Sequence, residues 1–199
     1  MTREKFESTI GYHCFAVLMG LKPSNLVSFS KTQVPMFPEY VEEYSEKLSQ
    51  EGLKLEIICA CRKHYLLLVY RPEQLQEYLF KKEAQEILRQ DGYPENASLQ
   101  ELLMYLKKRL EERTEFPHEI GLFLGYPLED VKGFQKYKGS GCKMCGYWKV
   151  YGDVETARYT FAQFDRCRTF IQEQLRAGYT LTQVLQMKYL CMDGMKVRQ

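Results

Sequence analysis

Four groups of residues in this chain have side chains suited to chemistry. The first is His118-Glu119, directly after Pro117 in the segment FPHEIGLFLGYPLEDVKGF (116–134). An imidazole in a helix first turn feels the positive end of the helix dipole, which favours its neutral form. A neutral imidazole can ligate, hydrogen-bond or move a proton, and a neighbouring carboxylate can act as an acid–base partner. His118 can equally brace the corner, with Glu119 complementing the dipole. Residue 122 is Leu, so the pair is not the start of a His-Glu-x-x-His zinc motif. The second group is His13-Cys14, joined by Cys167 as a distant thiol. Neighbours on a helix point about 100° apart. A thiolate nucleophile at Cys14, or a ligand pair with His13, therefore needs a partner from elsewhere, such as His118 or Cys167; a buried cysteine acting as a small hydrophobe is the structural alternative.

The third group is Cys142-x-x-Cys145, in a glycine-rich loop before a strand. It supplies two of the four ligands that a structural zinc needs. Cys59 and Cys61 could complete a set, although burial on a strand face accounts for that spacing as well. No metal site is assigned, and redox use of Cys142 and Cys145 is the weaker reading. The fourth group is a basic, aromatic stretch. Lys132, Lys136, Lys138, Lys143 and Lys149 interleave with Phe134, Tyr137, Tyr147, Trp148 and Tyr151, and no acidic residue lies between Val131 and Gly152. Lysines beside aromatic rings can hold an anionic group and stack a planar one. Lys132, Trp148, Lys149 and Tyr151, with His13 and Cys167, are the candidate cofactor-binding residues; His118, Glu119 and Cys14 are the candidate catalytic ones. His64, in the expected Arg62-Lys63-His64 hairpin turn, reads as exposed and structural.

These residues need elements to hold them. Phe6, Ile10, Cys14, Val17 and Leu21 recur at helical spacing, and NLVSFS (25–30) reads as a strand. Pro38 opens a helix with Val41, Tyr44 and Leu48 inward, ended by Gly52. LKLEIICACRKHYLLLVY reads as two strands joined at Arg62-Lys63-His64, with Leu55, Ile57, Cys59 and Cys61 on one face. Residues 73–90 read as one helix. Ser98 and Glu101 form a capping box ahead of the stripe Leu99, Leu102, Leu103, Leu106 and Leu110. Residues 117–137 form a helical corner, with Ile120, Phe123 and Leu124 inward, a stop at Gly125 and a restart at Pro127. CGYWKVYG reads as a fourth strand. Asp153 caps a long helix carrying Ala157, Phe161, Phe164, Cys167, Ile171 and Leu175. Residues 177–199 form a C-terminal helical extension.

The fold class is α+β: one domain over 1–199, with several helices packed on a small, mainly antiparallel sheet. The order strand, helix, strand, strand, helices, strand matches the ferredoxin-like β-α-β-β-α-β plan with an enlarged second crossover. The chain has 199 residues and a net charge of +2, which argues against an extended nucleic-acid footprint. No apolar run reaches the length of a membrane span, and Glu4, Glu7 and His13 argue against reading the N-terminus as a signal peptide. Seven cysteines, an odd number, fit reduced thiols in a cytoplasmic setting.

FPHEIGLFLGYPLEDVKGF followed by GYWKVYGD closely resembles a bacterial family of unknown function, number 3793 among domains of unknown function. His13-Cys14 with GLKPSNL, and FDRC at 164–167, resemble its N-terminal and late-cysteine stretches. The resemblance spans about residues 10–170. It implies a protein of anaerobic Gram-positive bacteria, encoded near flavodoxin-like or iron-uptake genes, and hence a redox or iron setting. The position of Cys142 varies in that family, which weighs against a function that needs the Cys142–Cys145 pair. The expectation is a cytoplasmic protein, enzyme or binder, for a small anionic ligand or cofactor, with flavin, haem and iron the ones to test. The alternative is a non-catalytic adaptor docking on a flavodoxin-like or iron-handling partner.

Overall fold

The computed structural model describes residues 3–32, 36–60, 63–112, 116–188 and 190. Arg62, within the expected turn, and Cys61 and Cys191 lie outside them. The fold is α+β, and the chain divides into two compact units: residues 1–71 with 162–199, and the intervening residues 72–161.

The first unit begins with α1 (Arg3–His13) and the single turn α2 (Phe15–Leu18). Strand β1 (Ser24–Ser30), helix α3 (Phe37–Ser49), and strands β2 (Lys54–Ala60) and β3 (His64–Tyr70) follow. The antiparallel sheet has the order β1-β3-β2, so β3 is central. That position explains its apolar run, because Leu67 to Tyr70 are all buried. The expected alternation in β2 is broken by a bulge. Ile57 pairs with Leu67 and Cys59 with Leu66, leaving Ile58 as the extra residue, and Ile58 and Cys59 are both buried.

Phe6, Phe29, Phe37 and Tyr44 form an aromatic centre with ring centroids 4.7–6.2 Å apart. Buried Glu7 accepts the Tyr44 hydroxyl at 2.6 Å and the Leu181 N–H at 3.0 Å. It thereby ties α1 to α3 and to the start of α10 (Leu181–Gln186), which carries its own Thr180/Gln183 capping box. Arg71 closes the β3 end, donating to the carbonyls of Val17, Leu18 and Glu51 at 2.7–2.9 Å.

The second unit is helical with one short ribbon. Residues 72–90 form two helices, α4 (Pro72–Leu79) and α5 (Lys82–Gln90), divided at Lys81, whose backbone is extended. Helix α6 (Leu99–Glu112) starts at the expected box: Glu101 accepts the Ser98 N–H at 2.8 Å, and Ser98 Oγ accepts the Glu101 N–H at 3.3 Å. The corner is α7 (Ile120–Phe123), a left-handed Gly125 with φ 65°, and α8 (Leu128–Tyr137). The expected fourth strand is a separate two-stranded ribbon, β4 (Met144–Cys145) with β5 (Lys149–Val150), so it does not complete a ferredoxin-like sheet. Gly146 turns this ribbon, and a Cβ there would run into the Phe161 ring. Helix α9 (Val154–Arg176), capped by Asp153 as expected, carries the chain back into the first unit. Among the described residues no helix is long and apolar enough to cross a membrane.

Candidate functional site

In the second unit the corner and the ribbon enclose a cavity of about 680 Å³. Phe116, Pro117, His118, Ile120 and Gly121 line it from the corner's first limb, and Tyr126 from the turn. Asp130, Val131, Phe134 and Lys138 come from α8 and its end, and Trp148 and Lys149 from the ribbon. Three expected site residues, His118, Trp148 and Lys149, therefore meet at one cavity. The helix begins later than expected: α7 has four residues, with Glu119 as its cap, so His118 stands in the turn before it. His118 is exposed and meets Phe134 edge-on, with ring centroids 5.2 Å apart.

Asp130 holds the opposite wall together. It lies in the first turn of α8 and is only 4% exposed. Its Oδ2 accepts the Trp148 indole N–H at 2.7 Å, and its Oδ1 accepts the Tyr151 and Gly152 backbone N–H groups at 2.6 and 2.8 Å. One carboxylate thus fastens the ribbon to the helix and orients the indole, which stacks on Tyr126 at 5.3 Å and meets Phe161 at 4.5 Å. The Tyr78 hydroxyl donates to the Tyr126 carbonyl and pins the turn. Lys149 Nζ donates to the Gly139 carbonyl at 2.6 Å. Lys138 adopts a left-handed backbone, φ 48°, which costs a residue with a Cβ about 1 kcal/mol.

Glu119 does not line this cavity. It is 1% exposed and paired with the Arg109 guanidinium, while the Tyr93 hydroxyl donates to it at 3.2 Å. Arg109 also donates to the Asp91 carbonyl at 2.7 Å. A second, polar cavity of about 330 Å³ adjoins this pair, with Asp91 and Gln135 in its lining. Lys132 is exposed on α8 outside the cavity, and Tyr151 packs on Gly133 and stacks on Tyr137 at 5.8 Å. Sequence patterning missed Tyr126 and Asp130. The signal for Asp130 was an acidic residue three positions after Pro127, in a helix first turn, which reads as ordinary dipole chemistry.

His13, Cys14 and Cys167 belong to the first unit. His13 is exposed and meets the Tyr12 ring edge-on at 5.0 Å; Cys14 and Cys167 are fully buried. Cys142 is half-buried and Cys145 exposed, and both are free thiols. Among the described residues no group of three or more His, Cys, Asp or Glu could hold a metal ion.

Burial raises the Cys14 thiol to about 12, against the pull of Lys22. Burial lowers the Lys22 ammonium to about 7, against the pull of Cys14. Lys22 has a pH consequence of definite sign. Between about 7 and the ordinary lysine value of 10.5 the unfolded chain binds the extra proton, so stability rises with pH. Cys14 opposes this only above the ordinary thiol value of 9.0, where the folded state holds the proton. Urea midpoints should therefore rise from pH 7 to pH 9, and Lys22→Met should flatten that rise. Equal slopes in the two proteins would refute this account.

The model of the family described as "Protein of unknown function (DUF3793)" matches residues 10–185 of this chain. No curated protein and no solved structure matches it.

Proposed function

The chain belongs to the DUF3793 family of proteins of unknown function, and we propose that it is a cytoplasmic protein that binds a small anion built on a planar aromatic body, in the cavity between corner and ribbon. One observation carries this reading: a cavity of about 680 Å³ has a mainly aromatic and aliphatic lining together with His118, Lys138 and Lys149. Pockets of this size with few polar groups suit molecules of nucleotide or flavin size. The rings offer apolar surface to the body, and the two ammonium groups attract a phosphate or carboxylate. His118 supplies a hydrogen-bonding and acid–base group on the opposite limb. A flavin occupant would fit the redox setting that the resemblance implies.

Trp148 is the one tryptophan of the chain, so its fluorescence reports on this cavity directly. Titration with flavin mononucleotide (FMN) should quench it saturably, and Lys149→Met should weaken binding about tenfold, the worth of one charge-assisted hydrogen bond. Emission that is unchanged by FMN, haemin and AMP would refute the reading and favour the adaptor. Lys138 gives an independent check. Lys138→Gly relieves the left-handed backbone and should raise stability by about 1 kcal/mol, or the melting temperature by about 2–4 °C, while weakening FMN binding severalfold. A variant that is both more stable and equally tight would remove Lys138 from the site.

A further inference from the structure

The Asp130 carboxylate does more than hold Trp148. Its two oxygens offer about four acceptor positions. The described residues fill three of them: two on Oδ1, from the Tyr151 and Gly152 N–H groups, and one on Oδ2, from the Trp148 indole. Asp130 is 4% exposed, and it is also part of the cavity wall. A carboxylate accepts and cannot donate, so at this wall of the cavity a ligand that brings a donor is favoured over one that brings only acceptors. The same negative charge repels the anionic end of a ligand, which is drawn instead to Lys138 and Lys149.

We propose that Asp130 selects ligands whose planar body is a nitrogen heterocycle with a ring N–H, such as a flavin or nucleobase imide. That N–H donates to Asp130, and the phosphate or carboxylate lies toward the two lysines. This rests on the aromatic-anion reading above and adds a donor requirement to it. A neutral aromatic with no ring N–H, or an anion with no aromatic body, binds weakly.

The test uses the full chain and Trp148 quenching with two probes of one ring system and charge, FMN and 3-methyl-FMN, which carries N–CH3 where FMN carries N3–H. FMN should bind about tenfold more tightly, the worth of one hydrogen bond to a charged group. In Asp130→Asn, near in size but uncharged, that ratio should fall to within about twofold. Equal binding of both probes to the unaltered protein would overturn the donor requirement and leave the aromatic-anion reading standing. Binding of neither would overturn both. A tenfold ratio that persists in Asp130→Asn would place the N–H against another group and overturn the assignment. If Asp130→Asn fails to fold, equal binding of the two probes by the unaltered protein still refutes the donor requirement, and a tenfold preference for FMN sustains it.

Discussion

Glu119→Ala should lower stability by about 3–5 kcal/mol, the cost of leaving a buried charge without its partner. Glu119 is 1% exposed and Arg109 5%, so water from the adjoining polar cavity can replace the lost carboxylate at the guanidinium only in part. Burial works to lower the Arg109 pKa, and the hydrogen bond and charge of Glu119, with smaller contributions from Tyr93 and Asp91, outweigh it, so the net shift is upward. Without Glu119 the desolvation remains, and only the more distant Asp91 carboxylate, at 3.9 Å, still offsets it. Burial, Glu119 and Asp91 also push the Tyr93 hydroxyl above its ordinary value, against the pull of Arg109, so Tyr93 stays a donor to Glu119 throughout the neutral range. At this chain length the melting temperature should fall by about 6–20 °C. Glu119→Gln keeps an acceptor for Tyr93 but no charge, and should fall between the two. The double variant Arg109→Met with Glu119→Leu should regain most of the loss, because buried ion pairs add little net stability over well-packed apolar residues. A melting temperature within about 2 °C for Glu119→Ala would refute the pairing as a structural necessity.

The result bears on what a sequence can disclose. Glu119 stands beside His118 and reads as its acid–base partner, yet its carboxylate goes to Arg109, ten residues earlier in the chain and on another helix. Nothing in local patterning marks Arg109, because it continues α6 as an ordinary charged position. The corner itself was legible, since Pro117, Gly125 and Pro127 are backbone punctuation and act locally. So was the Ser98–Glu101 box. The bulge at Ile58 and the separate ribbon were not, because both depend on which strand pairs with which. Alternation reports a strand and its faces, not its neighbours. Trp148 and Lys149 stand out by charge and aromatic content and His118 by its place at the start of the corner, and the fold brings the three to one cavity; Lys132, from the same basic stretch, lies on the exposed face of α8.

Asp130→Ala should have the second large effect, and one that separates fold from site. The substitution removes the acceptor for three donors: the Trp148 indole and the Tyr151 and Gly152 backbone N–H groups. Each donor left buried without a partner costs about 1–3 kcal/mol, and water reaching the half-exposed ribbon can recover part of that, so a loss of about 3 kcal/mol is expected in urea unfolding. The sharper readout is local. Asp130 is the group that fixes the indole N–H at 2.7 Å while Tyr126 and Phe161 hold the ring. Without it the ribbon is released from α8, and Trp148 emission in the folded variant should shift to longer wavelength as water reaches the ring. FMN affinity, measured well below the unfolding midpoint, should fall by about thirtyfold or more, because both the cavity wall and the acceptor for a ring N–H are lost together. Substitution at Glu119 should behave oppositely, lowering stability while leaving Trp148 emission in the folded protein unchanged, since its carboxylate faces Arg109 and not the cavity. If Asp130→Ala left both the emission maximum and the urea midpoint in place, the clamp would not be what shapes the cavity.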